Sequence, residues 1–309
     1  SSMRCRLPRQ PLEWIDRSRS VRFHFEGETV EGFAGDTVSS ALWASGRKLL
    51  GRSFKYHRPR GPMSFANHDV NALFEGDGDT HIRGDVTLVR AGLSLRATNT
   101  CGGLAKDTCR WLGLLAGMLP VGFYYKAFHT PRRLFPYWES IIRRAAGLGR
   151  VDLQWRRRIT PKRYEHADVL VVGAGPAGLQ AAAHAAQAGL RVILVDENPH
   201  IGGSLDYQWV GDDTAADLRE ALKAQVTQHP SIAVKTATVA AGYYSDHWLP
   251  LAGQQGIAKT RVKAVIVASG LLEQPAVFRN NDLPGVMLMS AAQRLIARYA
   301  VRPGQRAVL

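Results

Sequence analysis

Cysteine is scarce in this sequence. Cys5, Cys101 and Cys109 are the only three among 309 residues. They are too few for a disulfide framework and point to a reducing compartment. Acids are also in short supply: 26 stand against 40 lysines and arginines, leaving a formal net charge of +14. That surplus favours anionic partners (nucleic acid, acidic membranes, phosphates, carboxylates or an acidic subunit) without choosing among them. No apolar run is long enough for a membrane span. The most membrane-like, "WLGLLAGMLPVGFYY" from Trp111 to Tyr125, falls short of the roughly 20 residues needed and is interrupted by Pro120. It reads as a buried helix ending at Pro120, followed by an aromatic loop. Arg4, Arg6 and Arg9 break up any apolar signal core at the N-terminus. A cytoplasmic protein without a membrane span is expected. Internal repeats and low-complexity segments are missing too. What remains, 45% hydrophobic and 21% charged, is the composition of a globular protein with room for two domains.

The first organised stretch lies within residues 1–90. "VRFHFEG" alternates and reads as a strand turning at Gly27, with "ETVEGFAG" as its hairpin partner. "DTVSSALWASG" reads as a helix with Asp36 as N-cap and a stop at Gly46. "VNALFEGDGDTHIRG" gives another strand with a polar turn, and "VTLVRAG" one more. Between helix and strands lies "GRSFKYHRPRGPMSFANHD", rich in cations and aromatics. No nucleic-acid module surrounds it. Arg58 and Arg60, flanking Pro59, suit a clamp on an acidic partner or a phosphate. The pattern resembles the plant-type ferredoxin fold, in the variant fused to amine-oxidising flavoproteins. In cluster-bearing relatives a cysteine-rich loop follows the Gly-Pro. Here "MSFANHDVNALFE" holds no cysteine, whereas a two-iron two-sulfur cluster takes four thiolates. Cys101 and Cys109 lack ligand spacing and read as free thiols. The expectation is a ferredoxin-like sheet lacking cluster cysteines, with no iron–sulfur cluster and no metal site.

Residues 91–165 read as a helical, basic connector. It includes the helix "ESIIRRAAGLGR", closed by Gly147 and Gly149, and the cationic run "RRRITPKRYEH". Residues 166–309 then open on the most informative segment, "ADVLVVGAGPAGLQAAAHAAQAGLRVILVDE". A buried strand runs straight into Gly173, Gly175 and Gly178 at GxGxxG spacing. A helix of small residues follows, then a second strand closing with Asp196 and Glu197. A lone GxGxxG is weak evidence, but between a strand and a helix, with an acid about 20 residues on, it is specific. Gly173 permits the tight turn, Gly175 lets backbone approach a pyrophosphate, and Gly178 lets helix and strand pack closely. The helix N-terminus offers free N–H groups to the phosphates. The terminal acid accepts from ribose hydroxyls and repels a 2′-phosphate, which disfavours NADP. "NPHIGGSL", the strand "IAVKTATVAAGYY" with a hairpin at "DHWL", and the buried strand "RVKAVIVASG" follow. This order resembles the glutathione-reductase-like superfamily. The fold class is therefore α/β, with an α+β ferredoxin-like N-terminal domain and a Rossmann-like dinucleotide-binding domain.

"GRSFKYHRPRGP", "GFYYKAF", "IIRRAAGLGR", "DVLVVGAGPAGL", "VILVDENPHIGGSL" and "NNDLPGVM" resemble the N-terminal part of the α subunits of heterotetrameric sarcosine oxidases. Relatives of these occur in amino-acid and opine dehydrogenases and in hydrogen cyanide synthase. The resemblance implies an α subunit carrying NAD, with FAD as the alternative, beside a β-type flavoprotein subunit holding FAD and FMN and small accessory subunits. It implies oxidation of sarcosine to an imine, transfer of the one-carbon unit to folate, and hydrogen peroxide as product. By position, Gly173, Gly175, Pro176, Ala177 and Gly178 hold the pyrophosphate and Asp196 and Glu197 the ribose. Gly203, Ser204, Val239, Ser269 and Gly270 line the site. Two alternatives stand beside it: an FAD-carrying subunit of an amino-acid, opine or cyanide-forming dehydrogenase, and a structural subunit stabilised by a nucleotide that takes no part in chemistry. "RPGQRAVL" reads as a turn entering a strand cut at Leu309, so the dinucleotide domain is expected to be incomplete. The sequence presents no nucleophile or general base, and no catalytic residue is assigned.

Overall fold

The computed structural model describes residues 4–69, 71–118, 122, 130–146, 153–154, 159–208 and 213–308. It divides into two units, residues 1–155 with 273–309, and residues 156–272. The sequence suggests a single domain over 166–309, but residues 273–309 pack with the N-terminal unit instead.

Alternation builds the first unit. Along β1 (Asp16–Phe25) and β2 (Glu28–Ala34), Phe23, Phe25 and Val30 are buried while Arg22, His24 and Thr29 face out. The two strands pair antiparallel through Gly27, whose φ of +80° suits glycine. α1 (Val38–Ala44) follows, then the short ribbon of β3 (Gly51–Arg52) and β4 (Pro59–Arg60). β5 (Leu73–Gly76), β6 (Asp79–Arg83) and β7 (Ser94–Ala97) complete a sheet ordered β2-β1-β7-β5-β6. β1 and β7 run parallel and the other pairs antiparallel. Every residue of α1 is buried. One side packs Leu42 with Phe23, Phe25 and Phe74. The other puts Trp43 with Phe65, Leu295 and Tyr299 of the returning C-terminal segment, whose helix spans Met289–Tyr299. A helix enclosed on both sides is buried all round, Ser39 and Ser40 included.

Three local expectations need correction. The N-cap of α1 is Thr37, not Asp36: the Thr37 hydroxyl accepts from the Ser40 backbone N–H in a capping box. Asp36 is already engaged, taking both arms of the Arg6 guanidinium and the Phe33 N–H. "VTLVRAG" forms no strand; Leu88 makes an isolated bridge to Thr37, and the strand falls later at β7. Residues 111–118 of the apolar run lie in a 3-10 helix, Thr108–Met118, in which Trp111 and Leu114 are not buried but 54% and 89% exposed. Residues three apart share a row in 3-10 winding, and this row faces solvent. Its expected end at Pro120 lies outside the described residues, as do Gly147 and Gly149 beyond α2 (Phe135–Ala146).

The second unit alternates strand and helix. β8 (Arg163–Val172), α3 (Pro176–Gln187), β9 (Val192–Val195), α4 (Asp213–Thr227) and β10 (Ile232–Lys235) form the parallel part. β11 (Val239–Ala240), β12 (Trp248–Gly253) and β13 (Gly256–Val267) form an antiparallel meander. The sheet order is β10-β9-β8-β13-β12-β11, with β13 parallel to β8. α3 lays Leu179, Ala182, Ala183 and Ala186 against Val169, Val171 and Leu194. Its alanines bring helix and sheet close. β13 is buried only on alternate residues, and Val267 at its end is 73% exposed, so the expected buried strand is half-covered.

Candidate dinucleotide site

The chain turns as soon as β8 ends. Gly173 has φ +102°, and a Cβ there would lie 2.3 Å from the Ala268 carbonyl oxygen. Its N–H donates to Val195 O at 2.8 Å, and Ala268 N–H donates to Val172 O at 2.8 Å. The turn is thus stitched to the strands on both sides. Gly178, in the first turn of α3, would place a Cβ 1.8 Å from Gly173 O. Gly175 differs from both: a Cβ there would meet nothing closer than Gly203 Cα at 3.9 Å. The empty space at Gly175 is an approach route to backbone, beside a helix N-terminus without a side-chain cap. Pro176 takes the first helical position, where a missing N–H costs nothing. The first amides of α3, including those of Ala177 and Gly178, carry the positive end of the helix dipole.

Asp196 does more than stand at a strand end. One carboxylate oxygen accepts from Ala174 N–H at 2.6 Å; the other accepts from Asn198 N–H at 2.8 Å and Nδ2 at 2.9 Å. It therefore clamps the glycine loop to the end of β9. Glu197 beside it is half-buried. The double glycine closes over the same loop. Gly202 N–H donates to Ala174 O at 2.8 Å, and Gly203, at φ +56°, has its Cβ position 2.7 Å from Gly175 Cα. Ser204 lies in the 3-10 turn Gly203–Asp206, which the Asp206–Lys223 ion pair at 3.0 Å fastens to α4. Thr238 N–H donates to Asp196 O, which sets Val239 beside this strand end. Ser269 and Gly270 are exposed and directly follow Ala268, the residue packed over Gly173. Two further residues, Ala174 and Asn198, belong to the loop and escape the sequence reading: Ala174 acts through its backbone, and Asn198 through its backbone N–H and Nδ2.

The cationic loop is used internally. Both arms of the Arg58 guanidinium bind the Asp282 carboxylate, at 2.8 and 2.9 Å, and Arg60 pairs with the same carboxylate. Their acidic partner belongs to the same unit. Burial, reinforced by the charge of Arg58, holds the Arg60 guanidinium below its ordinary pKa.

Strand, glycine turn, helix, clamped acid and antiparallel meander define the dinucleotide-binding domain of a flavoprotein-type oxidoreductase. Residues 168–269 match the family described as FAD dependent oxidoreductases, and residues 18–100 match a 2Fe-2S iron-sulfur cluster binding domain. The chain is similar to sarcosine oxidase α subunits. It is 38% identical to the one from Rhizobium meliloti (strain 1021), over 97% of this chain and 32% of that protein. It is 32% identical to an opine oxidase subunit from Agrobacterium tumefaciens (strain Ach5), over 46% of this chain and 31% of that one. The chain thus spans about a third of the length of these relatives. The solved structure of L-proline dehydrogenase from P. horikoshii has the same fold, with TM-score 0.63 over 96% of this chain and 50% of that one, at 19% identity. Among the described residues no helix is long and apolar enough to cross a membrane.

These matches correct the cofactor expectations. The 2Fe-2S family match overturns the expectation that no iron–sulfur cluster goes with the N-terminal domain. The FAD family match moves the preference from NAD to FAD. The glycine loop fits a dinucleotide, because the space a Cβ would fill at Gly175 is open. The donor set of the ferredoxin-like sheet does not fit a four-thiolate cluster: residues 18–100 contain no cysteine, and Cys101 and Cys109 lie just past the match.

Proposed function

We propose that this chain is the dinucleotide-binding part of an α-type subunit in a multi-subunit, sarcosine-oxidase-like oxidoreductase, and that the loop from Gly173 to Gly178 holds the pyrophosphate of FAD. The observation that carries this reading is the contrast among the three glycines. Two are fixed by packing, and Gly175 alone leaves an open approach, beside uncapped amides. Pro176 and Ala177 complete the phosphate cradle, Glu197 meets the ribose, and Gly203, Ser204, Val239, Ser269 and Gly270 line the rest. Asp196 sets the loop's position. FAD supplies a two-electron acceptor when bound; this chain's residues bind and orient it.

The whole enzyme oxidises the C–N bond of a small secondary amine such as sarcosine to an imine. The one-carbon unit passes to folate and dioxygen is reduced to hydrogen peroxide. It works with small accessory subunits and a β-type flavoprotein subunit in the cytoplasm. The likeness to an opine oxidase subunit favours a second reading, in which the amine is an opine. Turnover of sarcosine against an opine by the purified assembly separates the two.

FAD binding is tested by Gly175→Val, whose Cβ enters the phosphate approach with no protein atom nearer than Gly203 Cα at 3.9 Å. FAD titrated against the full chain should bind the native protein and lose at least tenfold in affinity with Gly175→Val, while both unfold at the same temperature without FAD. Equal affinity in the two proteins sinks the proposal.

A further inference from the structure

Cys101 and Cys109 are far from ligand spacing in sequence, yet the fold closes the gap. Gly102 and Gly103 both have positive φ, +92° and +101°, and reverse the chain directly after Cys101. Thr108 then returns to it, its N–H and its hydroxyl each donating to Cys101 O at 2.9 Å. Asp107 is buried inside the loop it closes. One of its oxygens accepts from the N–H groups of Cys101 at 2.9 Å and Cys109 at 3.2 Å. The other meets His57 Nδ1 at 2.6 Å and lies 3.6 Å from Arg52 Nε. Because that oxygen only accepts, His57 Nδ1 carries the proton. Arg52 also donates to Leu104 O and His57 O, so the loop rests on a rigid cationic base. The result is two thiols and a carboxylate whose ligand atoms lie within 4.8 Å of one another.

We infer that Cys101, Asp107 and Cys109 form a binding site for one thiophilic divalent cation of the zinc type. A tetrahedral zinc site holds its ligands about 3.5–4 Å apart, from Zn–S near 2.3 Å and Zn–O near 2.1 Å. Small side-chain rotations bring these three atoms to that spacing and leave the fourth position to water. Metal-bound carboxylates are themselves hydrogen-bonded, as Asp107 is by His57 and two backbone amides. Charge also balances. With both thiols protonated, the Asp107 carboxylate offsets Arg52. On binding, one divalent cation enters, two Cys S–H bonds break, two S–metal bonds form and two protons leave, so the local sum is unchanged.

A disulfide between the same sulfurs is the competing fate.

The test uses cobalt(II) and zinc(II) on the reduced full chain. One equivalent of cobalt should give a thiolate-to-cobalt charge-transfer band, displaced by zinc. The band should be lost in Cys101→Ser and Cys109→Ser and kept in Cys5→Ser. Zinc should also shield two of the chain's three thiols from alkylation in the unmutated protein, a readout that stands if a variant fails to fold. No band, a band that survives both serine substitutions, or three thiols alkylated equally with and without zinc overturns the inference. So does a native chain isolated with a Cys101–Cys109 disulfide, or with iron and acid-labile sulfide at these residues.

Discussion

Gly173, Gly175 and Gly178 look alike in sequence, and single residues separate their roles. A methyl group on Gly178 runs into the Gly173 carbonyl oxygen, whereas the same group on Gly175 makes only ordinary contact with Gly203 Cα at 3.9 Å. Gly178→Ala should therefore cost about 1–3 kcal/mol or more through overpacking, read as a lower urea midpoint without ligand. Gly175→Val should leave that midpoint unchanged and affect only FAD. Equal midpoints for wild type and Gly178→Ala would contradict this packing. Asp85 offers a second residue-scale test. Burial, and next the charge of Asp69, hold its pKa above the usual carboxylate value, and Oδ1 has no hydrogen-bond partner. A raised folded pKa means that the ionised form is disfavoured in the fold. Its destabilising contribution is present at neutral pH and is lost as pH falls through the folded pKa. Asp85→Asn should match or exceed the wild-type stability at pH 7 by up to about 1 kcal/mol. The advantage should vanish in the acid range. A pH-independent difference would show that Asp85 does not titrate as described.

At the scale of elements, periodicity and turn chemistry make much of the fold legible. The β1–β2 hairpin, the β5–β6 pair and the strand–glycine–helix–strand core of the second unit follow the sequence pattern closely. The failures have identifiable causes. Asp36 precedes the α1 helix as a plausible cap, but the long-range fork of Arg6 occupies it, and Thr37 takes over. Thr37→Ala should cost about 1 kcal/mol, measured by equilibrium denaturation, because the Ser40 backbone N–H loses its Thr37 Oγ1 acceptor while the Ser40 hydroxyl keeps the N–H of residue 37. A neutral result would mean that packing of Trp43 and Leu42 alone sets the helix start. The 3-10 run after Cys109 misleads for another reason: its apolar content predicts burial, but Trp111 and Leu114 share an outward row. The meeting of Cys101 and Cys109 is illegible because two positive-φ glycines and a buried aspartate produce it, and none of these is a ligand signature in sequence.

For the whole molecule, internal pairing engages several of the cations while the net charge of +14 stands. Arg6 with Asp36, Arg17 with Glu13, and Arg58 and Arg60 with Asp282 use cations that look available for a partner in the sequence. The return of residues 273–309 to the N-terminal unit explains the pairs with Asp282 and is hidden from any local reading, since the contacts join positions more than 200 residues apart. The glycine loop, by contrast, is legible because glycine geometry, helix start and acid all lie within one continuous segment. Whether that segment holds FAD is tested most directly on the native assembly, purified, denatured, and its released nucleotides quantified against copies of this chain. One FAD in step with each copy is the predicted result. A chain that releases no dinucleotide, or flavin that tracks only with other subunits, contradicts it.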